Sequence, residues 1–185
     1  MSATTTTTTT TTSAQQQFRD AMARLAAAVN VITTDGPGGR CGITASAVCS
    51  VTDSPPTMLV CINQTSFVHD VLRENGNVCI NVLGASAQET AKTFAGMTGC
   101  SMEERFENTV WHQGVLPVPV LSDAVVRLEG TVNEIKTVGT HSVMFVRIHH
   151  IDLHECHDSL VYFARRFHQL PGDRAINPAY TTADI

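Results

Sequence analysis

The chain has 185 residues, of which 43% are hydrophobic and 16% charged, enough for one globular domain and too apolar for a chain disordered throughout. Twelve Lys and Arg against 17 Asp and Glu give a formal charge of −5, which argues against a broad basic face for nucleic acid. The sequence shows no basic-then-apolar leader and no apolar run of about 18 residues, so we expect a cytoplasmic protein that does not enter a membrane.

The N-terminal region begins with a run of threonine over residues 4–12, which offers no apolar face to bury. We therefore predict a disordered Thr-rich tail over residues 1–15, a folded domain over 16–170 and a C-terminal extension over 171–185. Phe18, Met22 and Leu25 recur at helical spacing and predict a first helix that continues through residue 28.

Two β-prone runs follow, residues 29–34 and 41–51, and the Asp-Gly-Pro-Gly-Gly segment between them predicts a hairpin. The glycine spacing approximates a dinucleotide-binding loop, but it leads into strand-like sequence where that motif requires a helix. Further strands are predicted over residues 57–63, 77–83, 125–137, 141–153 and 160–163.

Short helical pieces separate these strands, each opened by a serine. Ser66 precedes an apolar helical stretch, while Ser86 with Glu89 and Ser101 with Glu104 have the spacing of capping boxes. Residues 107–122 look irregular and are expected to cover a site or meet a partner. Because strands outnumber helices without βαβ alternation, we predict a mainly β fold, an antiparallel barrel with peripheral helices.

The second run consists almost entirely of small residues. As one strand it would place alternate residues on opposite faces: Thr44, Ser46, Val48 and Ser50 on one, Ala45, Ala47, Cys49 and Val51 on the other. Such a strand lets a flat aromatic ligand approach the backbone closely, and it is equally typical of tight packing against a helix. Both interpretations stay open on residue types alone.

Other candidate sites are less specific. The Ser66 hydroxyl and the free N–H groups of its helix could hold a phosphate, or the serine simply caps the helix. Histidines are frequent near residue 150, but neighbouring residues of a strand point to opposite faces. Only His150, His154 and Cys156 could share a face, so we predict no metal site. Common hydrolase and phosphate-loop motifs are missing, which suits a protein whose cofactor carries the chemistry.

Several segments together carry a family resemblance. They are Phe18-Arg-Asp-Ala-Met22, residues 27–34, residues 41–53, Pro55-Pro56, Val60-Cys-Ile-Asn63, Phe94-Ala-Gly-Met-Thr-Gly99, Met102-Glu-Glu-Arg-Phe106, Gly139-Thr-His141 and residues 162–168. Over about residues 17–170 the chain closely resembles the short-chain flavin reductases, the small components of two-component flavin-dependent monooxygenases.

The resemblance implies a flavin-binding split β-barrel, usually a homodimer, that oxidises NADH or NADPH and reduces FAD or FMN. The reduced flavin then diffuses to a separate oxygenase. The implied partner is an aromatic-ring hydroxylase such as 4-hydroxyphenylacetate 3-monooxygenase. Two alternatives remain: a reductase for another oxygenase, such as one that opens a pyrimidine ring, and a non-catalytic split barrel that binds flavin or haem.

The resemblance also implies positions for the site residues. The stretch of residues 44–50 would lie along the flavin ring and bind it through Thr44, Ala45, Ser46, Ala47, Val48 and Ser50. Asn63 and Ser66 would lie near its ribityl and phosphate part, and Phe94, Ala95 and Gly96 would border the same pocket. Apart from the resemblance, the chain has only two lysines, Lys92 and Lys136, so Arg165 and Arg166 are the expected phosphate partners, with two solvated arginines as the alternative.

His141 corresponds to the family's histidine near the nicotinamide, within Gly139-Thr140-His141, where Thr140 replaces the family's acid. Hydride transfer between two flat rings requires mainly that they stack within about 3–3.5 Å. Because that step needs no general base, we interpret His141 as the catalytic-site residue that positions the nucleotide. The alternative is a strand-edge histidine satisfied by backbone.

Overall fold

The computed structural model describes residues 11–155 and 158–172. Residues 1–10 and 173–185, most of the tail and extension that the sequence predicts, lie outside this range. The four helices of the described part are α1 Thr11–Met22, α2 Phe67–Asn75, α3 Gln88–Phe94 and α4 Met102–Glu107. The twelve strands are β1 Ala27–Ala28, β2 Asn30–Thr34, β3 Cys41–Ala45, β4 Val48–Asp53, β5 Pro56–Asn63, β6 Asn77–Val82, β7 Trp111–Gln113, β8 Pro119–Leu121, β9 Val126–Val138, β10 His141–Leu153, β11 Ser159–Phe163 and β12 Arg166–Leu170.

Seven strands form one antiparallel sheet in the order β3-β2-β6-β9-β10-β5-β4. Its two edge strands are consecutive in the chain, with only Ser46 and Ala47 between them. Laid flat, six strand spacings would separate these edges by about 29 Å. Three residues of chain reach no more than about 11 Å. The sheet must therefore roll into a barrel with its seam between β3 and β4, and the mainly β fold with peripheral helices is confirmed.

The barrel interior follows from the two-residue alternation of its strands. Met144, Val146 and Ile148 on β10 point inward and meet Val60 and Ile62 on β5. Helix α2 covers this cluster with Val68, Val71 and Leu72, all buried. The inward set also includes Ile43 and Ala45 at one edge of the sheet and Val48 at the other, so both sides of the seam rest on the same core.

A second apolar cluster holds α3 and α4 against the barrel. The rings of Phe94, Phe106 and Trp111 pack edge to face or tilted, with centroids 5.0–5.4 Å apart. Gly42 on β3 allows this approach, because a Cβ there would lie 2.8 Å from Cε1 of Phe94. The C-terminal end of α3 is thereby fixed beside β3.

The first helix differs from the prediction at both ends. It begins at Thr11, so residues 11–15 of the expected tail are helical, and it ends at Met22. Ala27–Ala28 leaves the helical pattern because its backbone pairs with Val161 and Tyr162 on β11. The spacing of Phe18 predicted a helix correctly, but Phe18 is 65% exposed, so this helix lies on the surface and does not bury the residue.

Three other local predictions have clear outcomes. The capping box of Ser101 and Glu104 is confirmed, whereas the one at Ser86 is wrong, because α3 begins one residue later with Ala87 as its N-cap. Residues 107–122 are not wholly irregular: β7 and β8 pair there and bury Val118, Val120 and Leu121.

The five described cysteines are free thiols, and two of them, Cys41 and Cys79, are buried. Burial raises the pKa of the Cys41 thiol to about 12. Over residues 11–155 and 158–172, no helix has both the length and the apolar character required to cross a membrane.

Candidate active-site cleft

A cleft of about 290 Å³ opens outside the barrel, between β3, the C-terminal end of α3 and the β11–β12 hairpin. Its lining is largely apolar, with hydroxyl groups and two cations. The lining residues are Val29, Thr44, Ser46, Lys92, Ala95, Met97, Tyr162, Arg165 and Phe167. Among these residues no carboxylate is present.

The floor of the cleft is the end of β3 and the crossing to β4. Ile43 and Ala45 face the barrel core, so Thr44 between them faces outward into the cleft. Its Oγ1 donates a hydrogen bond to the carbonyl oxygen of Ala91 at 2.7 Å, which fixes the side chain against α3. Ser46 is the first residue after β3, beyond the last residue that pairs with β2, and it is exposed.

The β11–β12 hairpin forms one wall. Tyr162 and Phe167 are directly opposite on the two strands, with ring centroids 5.2 Å apart. Ala164 and Arg165 form the two-residue turn and both have positive φ, 50° and 60°, as a type I′ turn requires. The turn brings Arg165 to the cleft, and the Ala164 N–H bonds the Ala23 carbonyl at 2.7 Å.

Both cations of the cleft carry a carboxylate partner outside it. Lys92 Nζ lies 2.7 Å from Glu89 Oε1, one helical turn earlier. The Arg165 guanidinium donates to Asp20 of α1, and this contact holds the pKa of that carboxyl below its ordinary value. An anionic ligand would therefore meet cations whose present partners are solvent-exposed and readily displaced.

The structure brings together in the cleft two residues expected along the ring, Thr44 and Ser46, and one expected to border the pocket, Ala95. The single strand assumed over residues 41–51 is wrong, since β3 ends at Ala45 and β4 begins at Val48. The chain passes from one edge of the sheet to the other at this break, and the side-chain alternation changes with it. Val48 packs against the barrel core, as Ala45 does, instead of sharing a face with Thr44.

Ala47 and Ser50 lie beyond this break. The Ala47 carbonyl accepts the Cys61 N–H at 2.9 Å, which ties the crossing to β5, and its side chain is exposed. Ser50 pairs with Met58, so it lies on the same face of β4 as Val48 and faces away from the cleft floor.

Two other expected contacts are not made by the described cleft. Phe94 is only 1% exposed and belongs to the aromatic cluster, so its side chain supports the cleft from behind. Arg166 is the first residue of β12 and is exposed, while its neighbour Arg165 lines the cleft. Gly96, two residues after the end of α3, is exposed and has φ +75°.

A second group of expected residues lies at the end of β5. His141, the first residue of β10, is directly opposite Asn63, and both are exposed on the outer face. The Asn63 side-chain oxygen accepts from the N–H and hydroxyl of Thr65, both at 3.0 Å. Ser66 is the N-cap of α2, but its side chain makes no capping bond. His141 Nδ1 lies 2.9 Å from Thr140 Oγ1.

The two groups are neighbours across the seam. Since Ala47 bonds Cys61, the crossing lies level with Cys61 on β5. Asn63 is two residues further along that strand, a rise of about 6–7 Å. Asn63 and Thr44 both face outward, so a planar molecule in the cleft can extend from Thr44 over Ser46 and Ala47 toward Asn63 and His141.

Sequence reasoning missed Lys92, Tyr162 and Phe167 as parts of the lining. Lys92 gives no local signal, because its place depends on how α3 packs on β3. Tyr162 and Phe167 were inside a segment that matched the family, but the turn between them is Ala-Arg, without the glycine or asparagine typical of a type I′ hairpin.

The histidine-rich end of β10 shows no metal-binding geometry: no three His, Cys, Asp or Glu side chains converge within the described ranges. Cys156, one member of the only set that could share a face, lies outside those ranges.

Comparisons with known proteins agree on one family. The model of the flavin reductase like domain matches residues 22–171. The reductase component of 4-hydroxyphenylacetate 3-monooxygenase of Pseudomonas aeruginosa is 53% identical over 153 residues, 83% of this chain and 90% of the relative. The FMN reductase (NADH) RutF of Pseudomonas syringae is 51% identical over 156 residues, 84% and 86% of the two chains.

Among solved structures, the chain is similar to BorF, the flavin reductase component of a bacterial two-component tryptophan halogenase. The TM-score is 0.80 at 27% identity, over 86% of this chain and 99% of that one. This likeness confirms the split-barrel architecture.

Proposed function

Because the chain belongs to the flavin reductase like domain family, we propose that it oxidises NADH or NADPH and supplies reduced FAD or FMN to a separate monooxygenase. The observation that carries the proposal is the cleft itself. Thr44 and Ser46 form a floor of small side chains, and Tyr162 with Phe167 forms an aromatic wall. A flat tricyclic ring fits such a slot, because small side chains let it approach the backbone and apolar walls cover its faces.

Bound flavin supplies the hydride acceptor, and the protein supplies binding and orientation. The hydroxyl-bearing floor holds the polar edge of the ring, while Ala95 leaves room beside it. Lys92 and Arg165 bring positive charge to the ring end of the cleft, after exchange of Glu89 and Asp20, and there they stabilise the negative charge of the reduced ring. Asn63 and the unused hydroxyl of Ser66 hold the ribityl and phosphate part at the far end.

His141 is the positioning residue for the nicotinamide. It is exposed, outward-facing and directly beside Asn63, so it lies at the open end of the proposed ring path. Orientation is the main requirement of a transfer between stacked rings, so the imidazole acts by holding the nucleotide.

For the partner we propose an aromatic-ring hydroxylase, 4-hydroxyphenylacetate 3-monooxygenase. The support is the relative at 53% identity named for that reaction. The second candidate is an oxygenase that opens a pyrimidine ring, supported by the similarity to RutF at 51% identity.

We also propose that the chain acts as a homodimer. The outer face of β4, β5 and β10 carries an apolar strip that the single chain leaves partly exposed: Cys49, Leu59, Cys61, Val143 and Phe145. Contiguous apolar surface of this kind is typical of a protein interface, and a second copy would cover it beside the seam.

The proposed function is tested by steady-state oxidation of NADH and NADPH with FAD, FMN or riboflavin added separately. We expect oxidation that depends on added flavin and consumes one reduced nucleotide per flavin reduced under anaerobic conditions. Protein without added flavin is the control. Nucleotide oxidation independent of flavin, or purified protein with a Soret band and no reductase activity, would contradict the proposal in favour of another cofactor.

A further inference from the structure

A hydrogen-bonded polar network lies behind His141, on the opposite face of β10 from the proposed ring path. Its members are Gln64, His69 and Ser142, with Asp70 and Thr137 at its ends. Ser142 is 1% exposed and His69 is 6% exposed. Polar groups buried to this degree need partners, and every side chain of the network has one.

The contacts form one consistent chain of donors and acceptors. Gln64 Nε2 donates to Ser142 Oγ at 3.3 Å and to Thr137 Oγ1 at 3.2 Å. Ser142 Oγ lies 2.9 Å from His69 Nε2, and His69 Nδ1 lies 2.9 Å from Asp70 Oδ1. When the Nδ1–H of His69 donates to the Asp70 carboxylate, its Nε2 accepts a hydrogen bond from the Ser142 hydroxyl. Each donor hydrogen of the network then has one acceptor.

This connectivity is also that of a Ser–His–Asp nucleophile, but the surroundings do not fit that chemistry. Ser142 is the second residue of β10, the strand between β5 and β9, where it pairs with Ile62 and Thr137. His69 of α2 covers its side chain. Gln64, His69, Asp70 and Ser142 border an open depression of about 540 Å³, but only 1% of Ser142 is exposed there. Because an acyl group has little access to a hydroxyl buried to this degree, we do not assign a hydrolytic site.

The network instead joins the two turns that carry the proposed site residues. One turn runs from Asn63 to Ser66 and the other from Val138 to His141. The Gln64 N–H donates to the Thr140 carbonyl at 3.0 Å, and its side chain reaches both strands of the second turn. His69, on the helix that follows the first turn, holds Ser142, the residue next to His141. Both turns are thus held to each other on the face of β10 that lies opposite His141.

We infer that Gln64, His69 and Ser142 are positioning residues that fix His141 relative to Asn63, and so set how the nicotinamide meets the flavin. This inference rests on the proposed function. The side chains of Gln64, His69 and Ser142 do not contact flavin or nucleotide; they hold the turns at residues 63–66 and 138–141 in place. Groups on rigid supports keep a productive geometry, and displacement of a reacting group by about 1 Å costs on the order of 100-fold in rate.

The test begins with Ser142→Ala, which removes the oxygen that both Gln64 and His69 contact. We expect kcat/KM for NADH to fall about 10-fold, through a higher KM and a lower kcat, with flavin affinity within about twofold. Ser142→Thr, which keeps the hydroxyl, should recover most of the loss. Thr57→Ala is the matched control, because Thr57 lies at the far end of β5 and its hydroxyl donates to the local Pro55 carbonyl at 2.8 Å.

A double-mutant cycle with His141→Ala separates positioning from general loss of structure. If Ser142 acts through His141, Ser142→Ala has little further effect once His141 is removed. An equal 10-fold loss in both backgrounds, or NADH kinetics unchanged in Ser142→Ala, would overturn the inference.

Hydrogen exchange supplies a readout independent of the reaction. Ser142→Ala should raise amide exchange in residues 63–66 and 138–142 and leave β2 and β6 as in the parent protein. Exchange that is unchanged in the two turns would refute the network directly. Lack of flavin-dependent NADH oxidation by the parent protein would instead refute the proposed function, so the two failures are distinguishable.

Discussion

Ala95→Phe is expected to weaken flavin binding about 100-fold, equal to about 2.7 kcal/mol. Ala95 is exposed, lines the cleft beside Met97 and lies directly after α3 with ordinary right-handed helical backbone. A phenyl ring there fills the slot between Thr44 and the aromatic wall. Since the side chain contributes nothing to the buried core, the thermal midpoint should change by no more than about 2 °C. Titration of flavin fluorescence measures the affinity.

Ala95→Ser is the matched control, because it changes the chemistry at the same position without adding bulk, and it should bind flavin within about threefold of the parent protein. Flavin affinity in Ala95→Phe equal to that of the parent would show that the ring does not occupy this cleft. Ala45→Leu is a poor substitute for this test, because Ala45 faces the barrel core and the larger side chain would overpack it.

His141→Ala is expected to lower kcat for NADH about 10-fold while flavin affinity stays within about threefold. The residue is exposed, pairs with Asn63 through its backbone and contacts the neighbouring Thr140 hydroxyl through its side chain. Truncation therefore removes a group at the nicotinamide end without opening the core. Stopped-flow reduction of bound flavin by NADH measures the step, and flavin titration measures the affinity.

His149→Ala provides the control on the same strand. His149 is also exposed on β10, and its Nε2 bonds the Thr131 hydroxyl at 3.1 Å, eight residues from His141. It should reduce flavin at the parent rate. If His141→Ala weakened flavin binding and turnover equally, the imidazole would belong to the flavin site and the assigned role would be wrong.

The sequence predicts the barrel well because its strands carry their own signals. The alternation around Met144 and Val146 predicts β10 at His141–Leu153, the bounds found in the structure. The glycine-rich segment before Cys41 predicts the β2–β3 hairpin for the same reason, since turn chemistry and strand pattern are both local.

Features that depend on closure of the sheet were not predictable in this way. Nothing in Thr44-Ala-Ser-Ala-Val48 marks the point where the chain leaves one sheet edge for the other, because small residues suit a strand and a crossing alike. The change of face at Val48 follows only from its new partner on β5. Thr44, Ser46 and Ala95, which the resemblance implied for one pocket, all line the cleft. Of the two arginines expected as phosphate partners, Arg165 lines the cleft and Arg166 does not, since one residue of a tight turn decides which side chain points inward.

The most direct test of the account is a crystal structure of the protein with FAD or FMN. We predict the flavin ring in van der Waals contact with Thr44, Ser46 and Ala95, its faces toward the Tyr162–Phe167 wall and the open side, and its chain running toward Asn63. A ring bound at another place, with these three residues in contact with protein alone, would contradict the central claim that this cleft holds the cofactor.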